Sequence, residues 1–100
     1  MPTITLNKKD LLKLVGKQLN DTQLLDRMAM LGTDVEHMKG NEICVEIFPN
    51  RPDLLSEEGF ARALSSFIGK KTGLRNYKVQ KNNYSYKIDS KVKKIRPYVG

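Results

Sequence analysis

The stretch EICVEIFPNRPDLLSEEGFARALSSFI, residues 42–68, predicts a strand, a stiff polar loop and an amphipathic helix in direct succession. Apolar side chains occupy every second position of the strand Glu42–Phe48, which is the period of a half-buried strand. Pro49 removes a backbone donor and ends the strand, while Pro52 fixes its own φ and favours an extended Arg51. We therefore expect a rigid corner between the strand and the helix.

The helix begins near Glu57, where the apolar period changes from two to that of an α-helix. Gly59 stands early in this helix, where glycine costs about 1 kcal/mol relative to alanine. Its presence indicates a close approach of backbone or of a partner at that turn. The face expected to be buried comprises Phe60, Ala61, Leu64, Phe67 and Ile68, and the solvated face comprises Arg62, Ser65 and Ser66.

Upstream of this stretch, turn signals predict one strand, two short helices and a hairpin. Asn7 is a good N-cap for the first helix, and either Asn20 or Asp21 caps the second. The loop Lys39-Gly40-Asn41 favours a hairpin. The fold class is therefore α+β, a small domain with two short helices, a β-hairpin and a longer helix, winged-helix-like in outline. The predicted elements are strand Thr3–Leu6, helices Lys8–Val15 and Thr22–Leu31, and hairpin strands Asp34–Met38 and Glu42–Phe48.

The net charge of +7 is concentrated in the last third of the chain. Residues 1–68 carry eight Lys/Arg and ten Asp/Glu, whereas residues 69–100 carry ten Lys/Arg and a single acid, Asp89. This asymmetry fits a contact with a polyanion, and it equally fits a solvated basic tail.

The basic segment is β-prone. Residues Tyr77–Val79 and Tyr84–Ile88 are predicted as two strands, and Val92–Val99 as the beginning of another that is cut off at Gly100. We divide the chain into a core domain, residues 1–75, and a basic segment with the start of a connection, residues 76–100.

The composition is that of one folded cytoplasmic domain, with 39% hydrophobic and 29% charged residues. No apolar run approaches the roughly 20 residues that span a bilayer, so we expect no membrane contact. The start, MPTITLNKKD, lacks the pattern of a secretory signal. A single cysteine, Cys44, cannot form an internal disulfide.

The residue types needed for catalysis are scarce. His37 is the only histidine and is expected at the surface, and Cys44 is expected to pack as a small hydrophobe. One cysteine and one histidine cannot make a Cys/His zinc set. Gly69 and Gly73 lack the spacing of a phosphate loop. We therefore expect no catalytic residue, cofactor site or metal site in this chain.

The proline-bounded loop is the one unusual polar cluster. Arg51 could bind a phosphate or a partner's carboxylate, because its guanidinium presents a planar fork of donors. Alternatively, Arg51 pairs with Asp53 or Glu46, while Asn50 and Asp53 bind loop amides and the helix N-terminus. The residues leave both interpretations open.

At these residues the chain strongly resembles the N-terminal (B1) domain of the phenylalanyl-tRNA synthetase β subunit. In that family a hydrophobic strand leads into PNRPD, then a Leu-Ser or Cys-Ser step and a G-x-A-R helix. The upstream residues 4–32 resemble the family's opening strand and two helices, and residues 91–100 resemble the linker to the next domain. The matching residues in the motif are Pro49, Asn50, Arg51, Pro52, Asp53, Leu55, Ser56, Gly59, Ala61 and Arg62.

Two departures refine this resemblance. The bacterial form carries an oligonucleotide-binding insertion before the PNRPD strand, and its absence here is similar to the archaeal and eukaryotic cytosolic type. A later, related domain of the family binds magnesium through acids on the equivalent helix. Here Gly59, Arg62 and Ala63 stand at those positions, so no metal site is transferred.

The resemblance implies a piece of an α2β2 enzyme that joins phenylalanine to tRNA(Phe). ATP and magnesium are implied for the full enzyme, whose catalytic motifs belong to the α subunit. The resemblance implies no cofactor for this fragment. The fragment's expected partners are the remainder of the β chain, the α subunit and tRNA(Phe), with no DNA. Its basic residues are then candidates for phosphate contact, and its tyrosines either stack on bases or pack on the sheet. The candidates are Lys70, Lys71, Arg75, Lys78 and Lys81, with Tyr77, Tyr84 and Tyr86 between and beyond them.

Two other hypotheses stay open at this point. The helix pair, hairpin and basic tail also fit a free-standing winged-helix-like nucleic-acid-binding protein, although such a protein has no evident need for PNRPD. The third hypothesis is an assembly module without nucleic-acid contact.

Overall fold

The computed structural model describes residues 1–97, in which three helices and a three-stranded antiparallel sheet share one core. The α+β class, the two short helices, the hairpin and the longer helix are thus confirmed. The elements are β1 (Thr3–Asn7), α1 (Lys8–Val15), α2 (Asp21–Leu31), β2 (Asp34–Lys39), β3 (Glu42–Glu46) and α3 (Glu57–Phe67), with short 3₁₀ helices at Pro52–Leu54 and Ser90–Lys94.

The central strand of the sheet is β3, which pairs with β1 on one side and β2 on the other. The predicted alternation is confirmed, because Ile43, Val45 and Ile47 are fully buried. The strand ends at Glu46, two residues before the predicted end at Phe48. The register with both neighbours ends at Glu46, opposite Thr3 and Asp34, and the Ile47 amide adds one further hydrogen bond, to the Pro2 carbonyl at 2.9 Å.

The helix ends follow the local capping chemistry. Asn7 Oδ1 accepts a hydrogen bond from the Asp10 amide at 3.2 Å. Of the two candidates for the second cap, Asn20 takes the role and forms a capping box with Gln23. Gly16 ends α1 with φ of +79°, a conformation that favours glycine.

The apolar face of α3 differs from the predicted one at two positions. Ser65, expected to be solvated, is buried, and its hydroxyl donates to the Val15 carbonyl at 3.1 Å. Phe67, expected to be buried, is 44% exposed. The reason is that α1 packs along α3 and covers the Ser65 side of the helix, while the turn that ends α3 leaves Phe67 near the edge of the core.

The predicted strands of the basic segment are wrong. Within the described residues, Tyr77–Val79 and Tyr84–Ile88 form no strand, and the described part of Val92–Val99 begins within a 3₁₀ helix. Residues 98–99 of that prediction lie outside the described residues. Strand formation depends on packing against neighbouring strands, and here Val79 is 96% exposed.

The chain as a whole is less compact than a globular domain of the same length. The radius of gyration is 17.2 Å, against about 13 Å for a compact chain of this length, because the basic segment extends away from the core. Among the described residues, none of the helices has the length and apolar character needed to cross a membrane.

Candidate nucleic-acid interface

The proline-bounded corner is closed by a two-pronged ion pair. Arg51 Nε and Nη2 donate to the two carboxylate oxygens of Asp53, each at 2.9 Å. These hydrogen bonds hold the pKa of the Asp53 carboxyl below its usual value and raise the pKa of Arg51. The geometry therefore supports the second of the two interpretations left open, in which Arg51 has a structural partner within the loop.

The corner packs tightly against the first turn of α3. Ser56 caps the helix by accepting from the Gly59 amide at 3.1 Å. A Cβ atom placed on Gly59 would lie only 1.8 Å from the Asp53 carbonyl oxygen. The close approach predicted at Gly59 is thus a contact of backbone with backbone. Glu57 also accepts a hydrogen bond from the Asn7 amide, which joins the start of α3 to the end of β1.

The end of α3 reverses the chain so that the residues from Lys70 onward, the returning segment, begin beside the helix. The Lys70 amide donates to Ser65 O and the Gly69 amide to Ser66 O, each at about 3 Å, the pattern of a Schellman turn. Gly69 has φ of +73°, which this turn requires. The basic residues that follow are therefore directed back along α3.

Hydrogen bonds to α3 and within the returning segment hold its first residues in place. Ser66 Oγ donates to the Lys71 carbonyl at 2.9 Å, and Arg75 Nη2 donates to the same carbonyl at 3.1 Å. The Arg75 guanidinium is only partly exposed, whereas the side chains of Lys70 and Lys71 stay in water. The backbone of this stretch is fixed while two of its cations remain available.

The result is an open groove of about 420 Å³, which we call the α3 groove. It lies between the end of α1, the adjacent side of α3 and the returning segment. A second concavity of about 390 Å³ continues it towards Arg51 and Asp53, and Arg62, Arg75 and Tyr77 line both. The titratable side chains that line the α3 groove are the four cations Arg62, Lys70, Lys71 and Arg75, the acid Glu58, and Tyr77.

This geometry brings together two sets of residues that the sequence kept apart. Arg62 was singled out only as part of the motif helix, yet it shares the groove with Lys70, Lys71 and Arg75. Sequence reasoning missed this convergence. Gly69, just past the end of the helix, was the signal that could have found it, because a helix closed by such a glycine reverses the chain.

The remaining candidates lie elsewhere. Lys78 and Lys81 are exposed residues further along the basic segment and do not line the groove. Asn50 is exposed at the tip of the corner. Tyr84 and Tyr86 are 92% and 72% exposed, so they do not pack on the sheet.

The outer face of the sheet holds the only histidine and the only cysteine of the chain. Cys44 is half-buried, and its Sγ donates to Glu36 Oε2 at 3.4 Å, so it does not pack as a core hydrophobe. Partial desolvation, and then the contact with Glu36, raise the pKa of the Cys44 thiol. His37 is exposed as predicted, with Nε2 lying 3.6 Å from Glu42.

Residues 1–70 match a family model described as the Phe-tRNA synthetase beta subunit B1 domain. The phenylalanine–tRNA ligase beta subunits of Methanocorpusculum labreanum and Methanococcoides burtonii are 40% and 43% identical to the chain over 100 residues. Each alignment covers 100% of this chain and 18% of the relative. The chain therefore spans less than a fifth of the length of these curated relatives.

A solved structure gives the same result at the level of the fold. The crystal structure of an N-terminal fragment of the phenylalanyl-tRNA synthetase beta-subunit from Pyrococcus horikoshii superposes with a TM-score of 0.77 at 31% identity. The match covers 97% of this chain and 29% of that chain.

Proposed function

This chain belongs to the family of phenylalanyl-tRNA synthetase β-subunit B1 domains, and from that premise we propose that it works as the non-catalytic N-terminal domain of a phenylalanine–tRNA ligase β chain. The full enzyme joins phenylalanine to tRNA(Phe) with ATP, in the cytoplasm, as an α2β2 assembly. The domain's partners are the rest of the β chain, the α subunit and tRNA(Phe). The relatives named phenylalanine–tRNA ligase beta subunit support this assignment.

The ATP and magnesium of this reaction are assigned to other parts of the enzyme. Of the glycines nearest to a phosphate-loop pattern, Gly69 closes α3 and Gly73 lies in a bend of the returning segment. Glu57, one of the acids at the start of α3, is already engaged with the Asn7 amide. The other acid, Glu58, lies among the cations of the α3 groove, so we propose that nucleotide and magnesium bind elsewhere in the enzyme.

The domain's own contribution is a contact between the α3 groove and the tRNA backbone. The observation that carries this proposal is the convergence of Arg62, Lys70 and Lys71 on one open surface whose backbone is held by Ser66 and Arg75. Phosphates are bound by such clusters because each cation releases a condensed counterion from the nucleic acid. Tyr77 at the edge of the groove offers an aromatic face to an unpaired base.

Steady-state kinetics of the full α2β2 enzyme test this contact. Replacing Lys70 and Lys71 with glutamate should raise the KM for tRNA(Phe) by about tenfold or more, because two phosphate contacts become repulsive. Phenylalanine-dependent pyrophosphate exchange, which needs no tRNA, should be unchanged.

The matched control is the double change Lys93→Glu and Lys94→Glu, which alters the charge of the chain equally but away from the groove. It should raise the KM for tRNA far less. An unchanged KM in the Lys70/Lys71 variant would exclude the tRNA contact and leave the assembly module as the function of this domain.

The apolar side chains of the basic segment support a second role, assembly. Leu74, just before the segment, and Val79 and Tyr84 within it are each more than 90% exposed, and contact with the rest of a longer chain would remove this apolar surface from water. We propose that the rest of the β chain covers them. Limited proteolysis should then cut residues 74–88 rapidly in the 100-residue chain and slowly in the full β subunit; equal rates would contradict this role.

A further inference from the structure

We propose that the outer face of the sheet carries a binding site for a zinc-class divalent cation, formed by Glu36, His37 and Cys44. One donor atom from each side chain lies within 4.8 Å of both others. The site lies on the strands β2 and β3, away from the α3 groove, and stands independently of the tRNA contact.

An irregularity in the sheet brings these side chains together. Val35 pairs with Val45 and His37 with Cys44, so Glu36 is an extra residue that forms a β-bulge. Adjacent residues of a regular strand point to opposite faces, but a bulge redirects a side chain. The Glu36 carboxylate can therefore reach Cys44 Sγ, at 3.4 Å, on the same face as His37.

The donor set has the chemistry that zinc prefers. Thiolate, imidazole and carboxylate are its three common protein ligands, and three of them with one open position make a typical reactive zinc site. Tetrahedral bonds of about 2.0–2.3 Å place neighbouring ligand atoms about 3.3–3.8 Å apart, so the three donors need only small side-chain rotations from their present separation.

A fourth group supports the imidazole. The Glu42 carboxylate lies 3.6 Å from His37 Nε2, and a carboxylate partner at one ring nitrogen orients a histidine that binds metal through the other. Binding exchanges the thiol proton of Cys44 for a sulfur–metal bond, and the proton passes to solvent.

The test is a titration of the 100-residue chain, free of any affinity tag, with Co²⁺ as a spectroscopic substitute for zinc. We expect a sulfur-to-cobalt charge-transfer band with visible bands of tetrahedral intensity, and their loss when Zn²⁺ is added. Cys44→Ser should abolish the charge-transfer band. His37→Gln and Glu36→Gln should each weaken binding by about tenfold or more.

Asp34→Asn is the matched control, because it removes one carboxylate from the same strand outside the donor set. It should leave the affinity unchanged, and the far-UV circular dichroism of all variants should match that of the parent chain. The proposal is overturned if the parent chain gives no charge-transfer band. It is also overturned if the band persists with equal affinity in His37→Gln and Glu36→Gln, since the thiol would then bind alone.

Discussion

At the scale of single residues, Gly59 is where the motif is most constrained. The Asp53 carbonyl occupies the space that any side chain at position 59 would need. Helix propensity alone predicts that Gly59→Ala stabilises the chain by about 1 kcal/mol. The structure predicts the opposite sign, a loss of about 1–3 kcal/mol in the free energy of unfolding, because the corner must move away from α3. Urea denaturation measures this difference, and any stabilisation would contradict the packing described here.

The Arg51–Asp53 pair makes a pH-dependent contribution to stability. Because the folded-state pKa of Asp53 is lowered, the contribution is present above the unfolded pKa of about 3.9 and is lost as the pH falls through the folded value. Both side chains are about one-third exposed, so Asp53→Asn should cost only about 0.2–1 kcal/mol at pH 7.

A double-mutant cycle that combines Asp53→Asn with Arg51→Gln isolates the interaction energy between the two side chains. The coupling energy from urea unfolding should be favourable at pH 7 and should decrease below about pH 4. A coupling energy that is zero at pH 7, or that grows as the pH falls, would show that the pair does not hold the corner.

At the scale of elements, two neighbouring serines of α3 distinguish the observed packing from the predicted one. Ser65 is buried against α1 and donates to Val15 O, whereas Ser66 is only partly buried and donates to Lys71 O. Ser65→Ala should therefore lower the free energy of unfolding by about 1–3 kcal/mol, because a buried carbonyl loses its donor. Ser66→Ala should cost less than about 0.5 kcal/mol. Equal effects in thermal or urea unfolding would contradict the docking of α1 on α3.

The elements that the sequence predicted correctly are those whose cause is local. Asn7 caps α1 through its own side chain, and the alternation from Ile43 to Ile47 reports a single buried face. The strands predicted in the basic segment failed because their tyrosines and valine have the propensity but no neighbouring strand to pack against. The burial of Ser65 could not be predicted either, since it depends on where α1 crosses α3.

The candidate site was likewise predictable from the sequence only where its cause is local. The motif residues and the basic cluster were both visible in the sequence, but their meeting at Arg62 depends on the chain reversal after α3. Likewise, Glu36 joins His37 and Cys44 only because of the β-bulge, for which the strand pattern gave no signal.

At the scale of the whole molecule, charge is separated onto two surfaces. The outer face and edges of the sheet carry Asp34, Glu36, Glu42 and Glu46, while the α3 groove and the residues after it carry eleven of the 18 Lys and Arg residues. We expect such a distribution to orient the domain before contact, so that the groove rather than the sheet meets a polyanion. The membership of the β-subunit B1 family makes tRNA(Phe) the polyanion we propose.

The salt dependence of tRNA(Phe) binding by the full enzyme tests the proposed contact between the α3 groove and tRNA. The logarithm of the association constant decreases linearly with the logarithm of the salt concentration. The magnitude of this slope falls by about 0.7–0.9 for each phosphate contact that is removed. Replacing Arg62, Lys70 and Lys71 with glutamine should therefore reduce the slope by about 2, whereas the same number of changes at Lys91, Lys93 and Lys94 should alter it much less. Equal slopes for the parent enzyme and the groove variant would contradict the account.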